Sequence, residues 1–184
     1  QDLISYTLYS AQFDVRYNHS PKFGVSTELS YAFRDYQVLS SQGIPYSNIE
    51  TWNLGASAYY IYSPKLDIFL RYEHTINDSP EDESDFIQNS VDSFFLGAEG
   101  ELTPKLTGTV SFGYGMRNYE NTEIGSENSL LFNAGLNWAW REKTRIALNV
   151  NRSFSPSPQD QGMLNTTIGA QLTQRFTKRV AGTL

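Results

Sequence analysis

The chain has 184 residues, a mean hydropathy of −0.45, a net charge of −6 and a pI near 4.9. Its 14% aromatic and 18% charged residues exclude a disordered chain, its acidic balance argues against a nucleic-acid partner, and the lack of Cys rules out disulfides, thiolate metal sites and Cys nucleophiles. Apolar stretches such as 58–62 fall far short of the roughly 20 residues of a spanning helix, and the start carries no basic-then-apolar leader, as expected of a mature, trimmed or partial chain.

The first segment alternates Ala11, Phe13, Val15 and Tyr17 with Gln12, Asp14, Arg16 and Asn18, a period of two that predicts a strand with one apolar face. After Lys22 the alternation returns, with Phe23, Val25, Thr27, Leu29, Tyr31 and Phe33 on one face. Further strands are predicted over 52–62, 66–76, 90–102, 106–119, 130–140, 144–154 and 163–176, and a tenth begins at Val180. Soluble strands average about 5–6 residues, whereas a tilted strand crossing a bilayer takes about 9–11. The predicted lengths favour the membrane.

Short connections recur at Ser20-Pro21-Lys22, Ser63-Pro64-Lys65, Thr103-Pro104-Lys105, Arg141-Glu142-Lys143 and Thr177-Lys178-Arg179, an internal repeat of one hairpin per unit. Pro in the turns fits its fixed φ and its exclusion from central strands. The other connections, about 37–50, 77–89, 120–128 and 155–162, are longer; they contain ten acidic residues and no Lys or Arg, while all five Lys sit in the short turns. Short turns at one end and long loops at the other are the anatomy of an outer-membrane barrel.

One face places rings near the turn end (Tyr17, Phe23, Tyr60, Tyr62, Trp138, Trp140, Phe176) and near the loop end (Phe33, Trp52, Tyr72, Phe94, Tyr114, Phe154), with aliphatic and small residues between. Tyr17, Trp52, Tyr62, Tyr72, Tyr114, Trp138 and Trp140 are the candidate lipid-interface aromatics, because amphipathic rings settle at headgroup depth. The competing reading of this face is the core of a soluble sandwich, which does not account for the strand lengths or the loop asymmetry. The opposite face carries Asp14, Arg16, Glu28, Arg34, Asp67, Arg71, Glu73, Glu99, Glu101, Arg117, Arg145 and Arg175, the candidate lumen-lining set. Six acids and six arginines predict near-neutral pairing across neighbouring strands and little ion preference. Arg152 breaks the parity by counting outward, which a bulge or reach to headgroups would explain.

Catalytic and metal chemistry is sparse. His19 and His74 have no second ligand at metal spacing, and no cofactor is expected. The acidic segment Asp78, Glu81, Asp82, Glu83, Asp85 lacks EF-hand spacing and reads as a solvated loop facing the cation-rich lipopolysaccharide layer. A barrel hydrolase built on His74 with Glu73 or Asp92 lacks a convincing nucleophile. Both termini of single-chain barrels normally lie on the periplasmic side, so a chain whose first connection is a short turn is expected to be an internal segment, 1–184, of a larger barrel lacking strands at both ends.

Arg152-Ser153-Phe154-Ser155-Pro156-Ser157 and the strand ending Gln174-Arg175-Phe176-Thr177-Lys178-Arg179-Val180-Ala181-Gly182-Thr183-Leu184, together with the [Ser/Thr]-Pro-Lys turns and the related strand ends at Tyr31 to Tyr36 and Tyr114 to Tyr119, resemble the putative β-barrel porin type 2 family of Gram-negative outer-membrane proteins. The resemblance implies a bacterial outer-membrane barrel and, since relatives are often associated with exopolysaccharide secretion, an exit conduit or its partner. It supplies no site residues. The expectation is therefore an all-β, transmembrane, antiparallel up-and-down β-barrel acting as a non-enzymatic porin-like conduit. Its expected partners are outer-membrane lipid, lipopolysaccharide and polysaccharide-export or other periplasmic components. The alternative is a structural or interaction barrel: an anchor, or a sheath around a periplasmic partner such as an electron carrier.

Overall fold

The computed structural model describes residues 6–36, 47–80, 88–120, 125–156, 163–177 and 180–183. The strands are β1 (Tyr6–Asn18), β2 (Phe23–Tyr36), β3 (Ile49–Ser63), β4 (Leu66–Asp78), β5 (Asn89–Thr103), β6 (Leu106–Tyr119), β7 (Ser126–Arg141), β8 (Thr144–Ser155), β9 (Met163–Arg175) and β10 (Ala181–Thr183). They form one antiparallel sheet in sequence order, β1 to β10, an up-and-down meander. The described residues contain no helix, and hence none long and apolar enough to cross a membrane. Strands β1 to β9 run 12 to 16 residues, longer than the minimum for a tilted crossing.

Every predicted strand exists, and several extend further toward the loop end than expected. β3 starts at Ile49, β4 reaches Asp78 and β7 starts at Ser126, although the flanking sequence is polar. The ladder explains this, since Ser126 pairs with Asn118 and Asn77 with Asn89, so a strand continues while its neighbour offers backbone partners. At the turn end, β9 stops at Arg175 rather than Phe176. Most of the predicted long loops, including the acidic residues from Glu81 to Asp85, lies outside the described residues.

The turns show why Ser precedes Pro-Lys. In the first, the Ser20 hydroxyl accepts from the backbone N–H of Lys22 at 3.2 Å and of Phe23 at 3.0 Å; in the second, Ser63 Oγ accepts from Lys65 N–H at 3.3 Å. A hydroxyl one residue before the proline thus satisfies turn N–H groups that no ladder reaches. The hairpin repeat also has a backbone counterpart. The carbonyls of Lys22, Lys65, Lys105 and Lys143 accept from the N–H groups of Ile61, Glu101, Ala139 and Arg175 respectively, at 2.7–2.8 Å. These four turns are each tied in the same way to the next hairpin along the rim. Ladder irregularities fall at Ile61/Ser63, Glu101/Thr103 and Trp138/Arg141, at equivalent places before the turns.

Burial is inverted relative to a soluble protein. Leu29, Leu54, Leu70, Leu96, Phe112, Leu130 and Ile168 are exposed on one face, while Ser57, Asn77, Asn89, Ser93, Ser111 and Arg117 are buried on the other. The sheet is strongly curled, since residues from β2, β4, β5, β7, β8 and β9 line one cavity of about 380 Å³ on the polar side. Gly100 and Gly108, directly opposed on β5 and β6, have φ of 118° and 142°, a region that L side chains rarely adopt. A Cβ at Gly108 would strike the Gly135 carbonyl oxygen, and one at Gly100 the Lys65 carbonyl oxygen. Gly108→Ala is expected to destabilise the folded barrel by about 2 kcal/mol or more, whereas Gly169→Ala, with open space around its Cβ, should leave it nearly unchanged; urea unfolding midpoints in lipid vesicles separate the two.

Candidate functional site

All seven expected interface aromatics, Tyr17, Trp52, Tyr62, Tyr72, Tyr114, Trp138 and Trp140, are exposed, on the convex face. Several rings meet across strands because the register sets them directly opposite. Tyr31 pairs with Trp52, with ring centroids 4.6 Å apart, Tyr72 with Phe94 at 4.9 Å, and Phe23 with Tyr60 at 5.6 Å. Lys22 Nζ lies 5.8 Å from the Tyr60 ring centroid and the Arg141 guanidinium carbon 4.8 Å from that of Trp140, which places turn cations over turn-end rings. Rings are frequent toward both ends of this face, and Leu29, Leu54, Leu70 and Leu96 lie between them together with the exposed mid-strand rings of Phe13 and Phe112.

The concave face carries the expected charged set, and the structure corrects how those charges are satisfied. Pairing does not simply run between neighbouring strands. Arg16 on β1 reaches past β2 and β3 to Asp67 of β4 at 2.6 Å and Glu99 of β5 at 3.4 Å, its guanidinium lying 4.2 Å from the Tyr59 ring centroid. Arg71 pairs with Glu73 of its own strand at 3.7 Å and donates to Ser57 Oγ at 3.1 Å. Arg34 donates to Thr51 Oγ1 at 3.3 Å. Glu101 turns to Lys65 at 2.7 Å, while Gln12 Nε2 donates to both Asp14 and Glu28 at 3.3 Å. Arg145 and Arg175 lie opposite Thr173 and Ala181 in the ladder and form no ion pair among the described residues. Counting residues along strands identifies neighbours, but curvature lets a long side chain skip them.

The concave face also holds apolar groups that charge alternation did not single out. Phe69 is 1% exposed and Leu131 3%, and Tyr59 and Phe69 rings lie 5.9 Å apart. Phe69 is paired with Gly97 and Phe95 with Gly113. A Cβ at Gly97 would fall 2.5 Å from Phe69 Cζ, and one at Gly113 would strike the Phe95 ring. Each ring covers a glycine on the next strand, in space that a side chain there would need. The sequence signal was available, since Phe and Gly of matching parity face each other once the register is known.

Phe154 departs furthest from expectation. Phe154, expected in the loop-end belt, instead has its ring centroid 4.5 Å from the Arg117 guanidinium carbon and lines the concave cavity. Arg117 is 0% exposed; it sits 3.7 Å from Glu127 and donates to the carbonyls of Ser155 at 3.2 Å and Met163 at 3.4 Å. Arg152 lies on the convex face where counting puts it, and it donates to the Leu130 carbonyl at 3.2 Å and to Thr166 Oγ1 at 3.1 Å. His74 takes the convex side, its Nδ1 2.8 Å from Asp92 Oδ1, which also accepts from Tyr72 OH at 2.6 Å. Among the described residues no three His, Cys, Asp or Glu side chains converge as metal ligands.

An apolar, ring-rich convex face and a charged, hydroxyl-rich concave face on an up-and-down meander define the wall of a porin-like outer-membrane barrel. The chain belongs to the putative beta-barrel porin 2 family, whose model matches residues 92–184. Among solved structures it is similar to OmpT, an in-vitro folded outer membrane protein of Vibrio cholerae in its trimer form, with a TM-score of 0.56 and 11% identity over 90% of this chain and 54% of that one. The chain therefore spans about half the length of that protein, and the likeness shows the fold alone. No curated protein matches the chain.

Arg16→Ala removes a guanidinium that bridges three strands but is itself partly solvated. It is expected to cost about 0.5–1 kcal/mol, the loss shrinking at high salt, as read from urea unfolding at low and high ionic strength.

Proposed function

We propose that this chain forms wall of a non-enzymatic conduit through the bacterial outer membrane, with polysaccharide as the exported cargo. The observation that carries the conduit reading is the pairing of a lipid-compatible exterior with a concave face of carboxylates, guanidinia, amides and hydroxyls. Such a wall wets readily and offers a passing polar chain many weak, exchangeable hydrogen bonds, with opposed charges limiting ion preference. The polysaccharide assignment rests on the family resemblance together with this polar lining. The convex rings would meet lipid and lipopolysaccharide, with the short Lys-bearing turns in the periplasm and the long acidic loops outside. The open edge of β1, which among the described residues pairs only with β2, fits a segment completed by further strands of a larger barrel.

A specific observation favours the second reading, a structural or partner-filled barrel: the Phe154 ring turns to the concave side against Arg117 and lines the cavity there. Single-channel recording on the intact barrel in planar bilayers separates the two. Steady, weakly selective conductance is expected for the conduit; a heat-modifiable but silent barrel would sink it.

Topology has its own check. With no native Cys to interfere, Ser79→Cys is expected to react with an impermeant maleimide on intact cells and Pro64→Cys only after permeabilisation.

A further inference from the structure

The displaced Phe154 belongs to a split in the wall. The β7–β8 ladder ends toward the loops at Phe132↔Arg152. Beyond it, β8 stays paired with β9 as far as Ser155↔Met163, and β7 stays paired with β6 as far as Ser126↔Asn118. The loop ends of β8 and β9 therefore leave β7 together and lean into the concave side. Two arginines hold the separation from opposite faces. Arg152 donates to the Leu130 carbonyl, occupying an acceptor next to where the β7–β8 ladder stops. Arg117, on β6, reaches across β7 to the carbonyls of Ser155 and Met163, with the Phe154 ring against its guanidinium. Leu130 is left 72% exposed on the convex face.

The alternation of β8 describes a different position. Extending the register from Phe132↔Arg152 by two residues sets Phe154 opposite Leu130, on the convex face beside the loop-end belt. Pro156, with no N–H, limits the extension to this short stretch. One position satisfies carbonyls with guanidinium donors and a cation–ring contact; the other satisfies them with ladder bonds and covers Leu130. Each position thus gives the carbonyls of Leu130, Ser155 and Met163 donors of a different kind, which is what a two-position element needs at its switching bonds.

We propose that the loop ends of β8 and β9 form a gate: peeled inward, as seen here, they narrow the passage, and zipped onto β7 they widen it, with Arg117 as the latch. This rests on the conduit reading above. Phe154 then determines the size of cargo admitted, because its ring lines the concave cavity in one position only, and Arg117 holds it there.

The test uses the intact barrel with Leu130→Cys and Phe154→Cys combined. The chain has no other Cys, and the two positions oppose each other only when zipped, within disulfide reach for a directly opposed pair. Oxidation is expected to form an intramolecular disulfide and to raise single-channel conductance about twofold, reversed by reductant. Arg117→Ala is expected to raise conductance without the cysteines and to speed disulfide formation when combined with them. Because a buried arginine can matter for folding, Phe154→Ala, which removes only the ring, is expected to widen the channel as well. A conducting barrel in which neither single variant changes conductance and no disulfide forms overturns the gate and leaves the conduit standing. A barrel silent in every variant that still forms the disulfide supports the two positions and overturns the conduit instead.

Discussion

A polypeptide in hydrocarbon must satisfy its own backbone N–H and C=O groups, and the form of this chain follows from that requirement. Ten consecutive strands exchange ladder bonds with sequence neighbours, so lipid-facing side chains need contribute nothing to backbone pairing. They are free to be Leu, Ile, Val and rings. Those side chains alternate with polar ones, which is how a chain of mean hydropathy −0.45 presents an apolar surface. Where the ladder fails, the same requirement recruits side chains: Ser20 and Ser63 hydroxyls in the turns, and Arg152 at the break between β7 and β8.

Curvature governs the concave side. On a flat sheet Arg16 would be several strand spacings from Asp67 and Glu99; on this one it meets both over the Tyr59 ring. Opposing Phe with Gly at Phe69/Gly97 and Phe95/Gly113 lets rings brace the interior without filling it. A wall built this way is braced where side chains interlock and lined by polar groups elsewhere.

The fold was legible because period-two alternation, strand length and the repeated turns are local properties of the chain. Strand ends were less so: Ile49 and Ser126 join strands because a neighbour across the ladder offers partners, and partners are not written in the flanking residues. Parity assigned the charged set and the interface rings to opposite faces. It did not find the partners of Arg16 or the burial of Phe69, which depend on how tightly the sheet curls. Phe154 is instructive, since its parity is satisfied only if β8 continues along β7, and Arg117 offers an alternative that counting along one strand does not reveal.

The rim bonds from the Lys22, Lys65, Lys105 and Lys143 carbonyls to the following hairpins bear on how such walls change size over evolution. Because these four joints are alike, a duplicated or deleted hairpin would inherit a compatible joint on each side, made entirely of main-chain atoms and therefore tolerant of drift in the flanking side chains. Circumference can then grow or shrink in steps of two strands without new turn chemistry. The fourth turn carries Glu142 where the first three carry Pro, yet its joint is the same, so the joint does not depend on the proline.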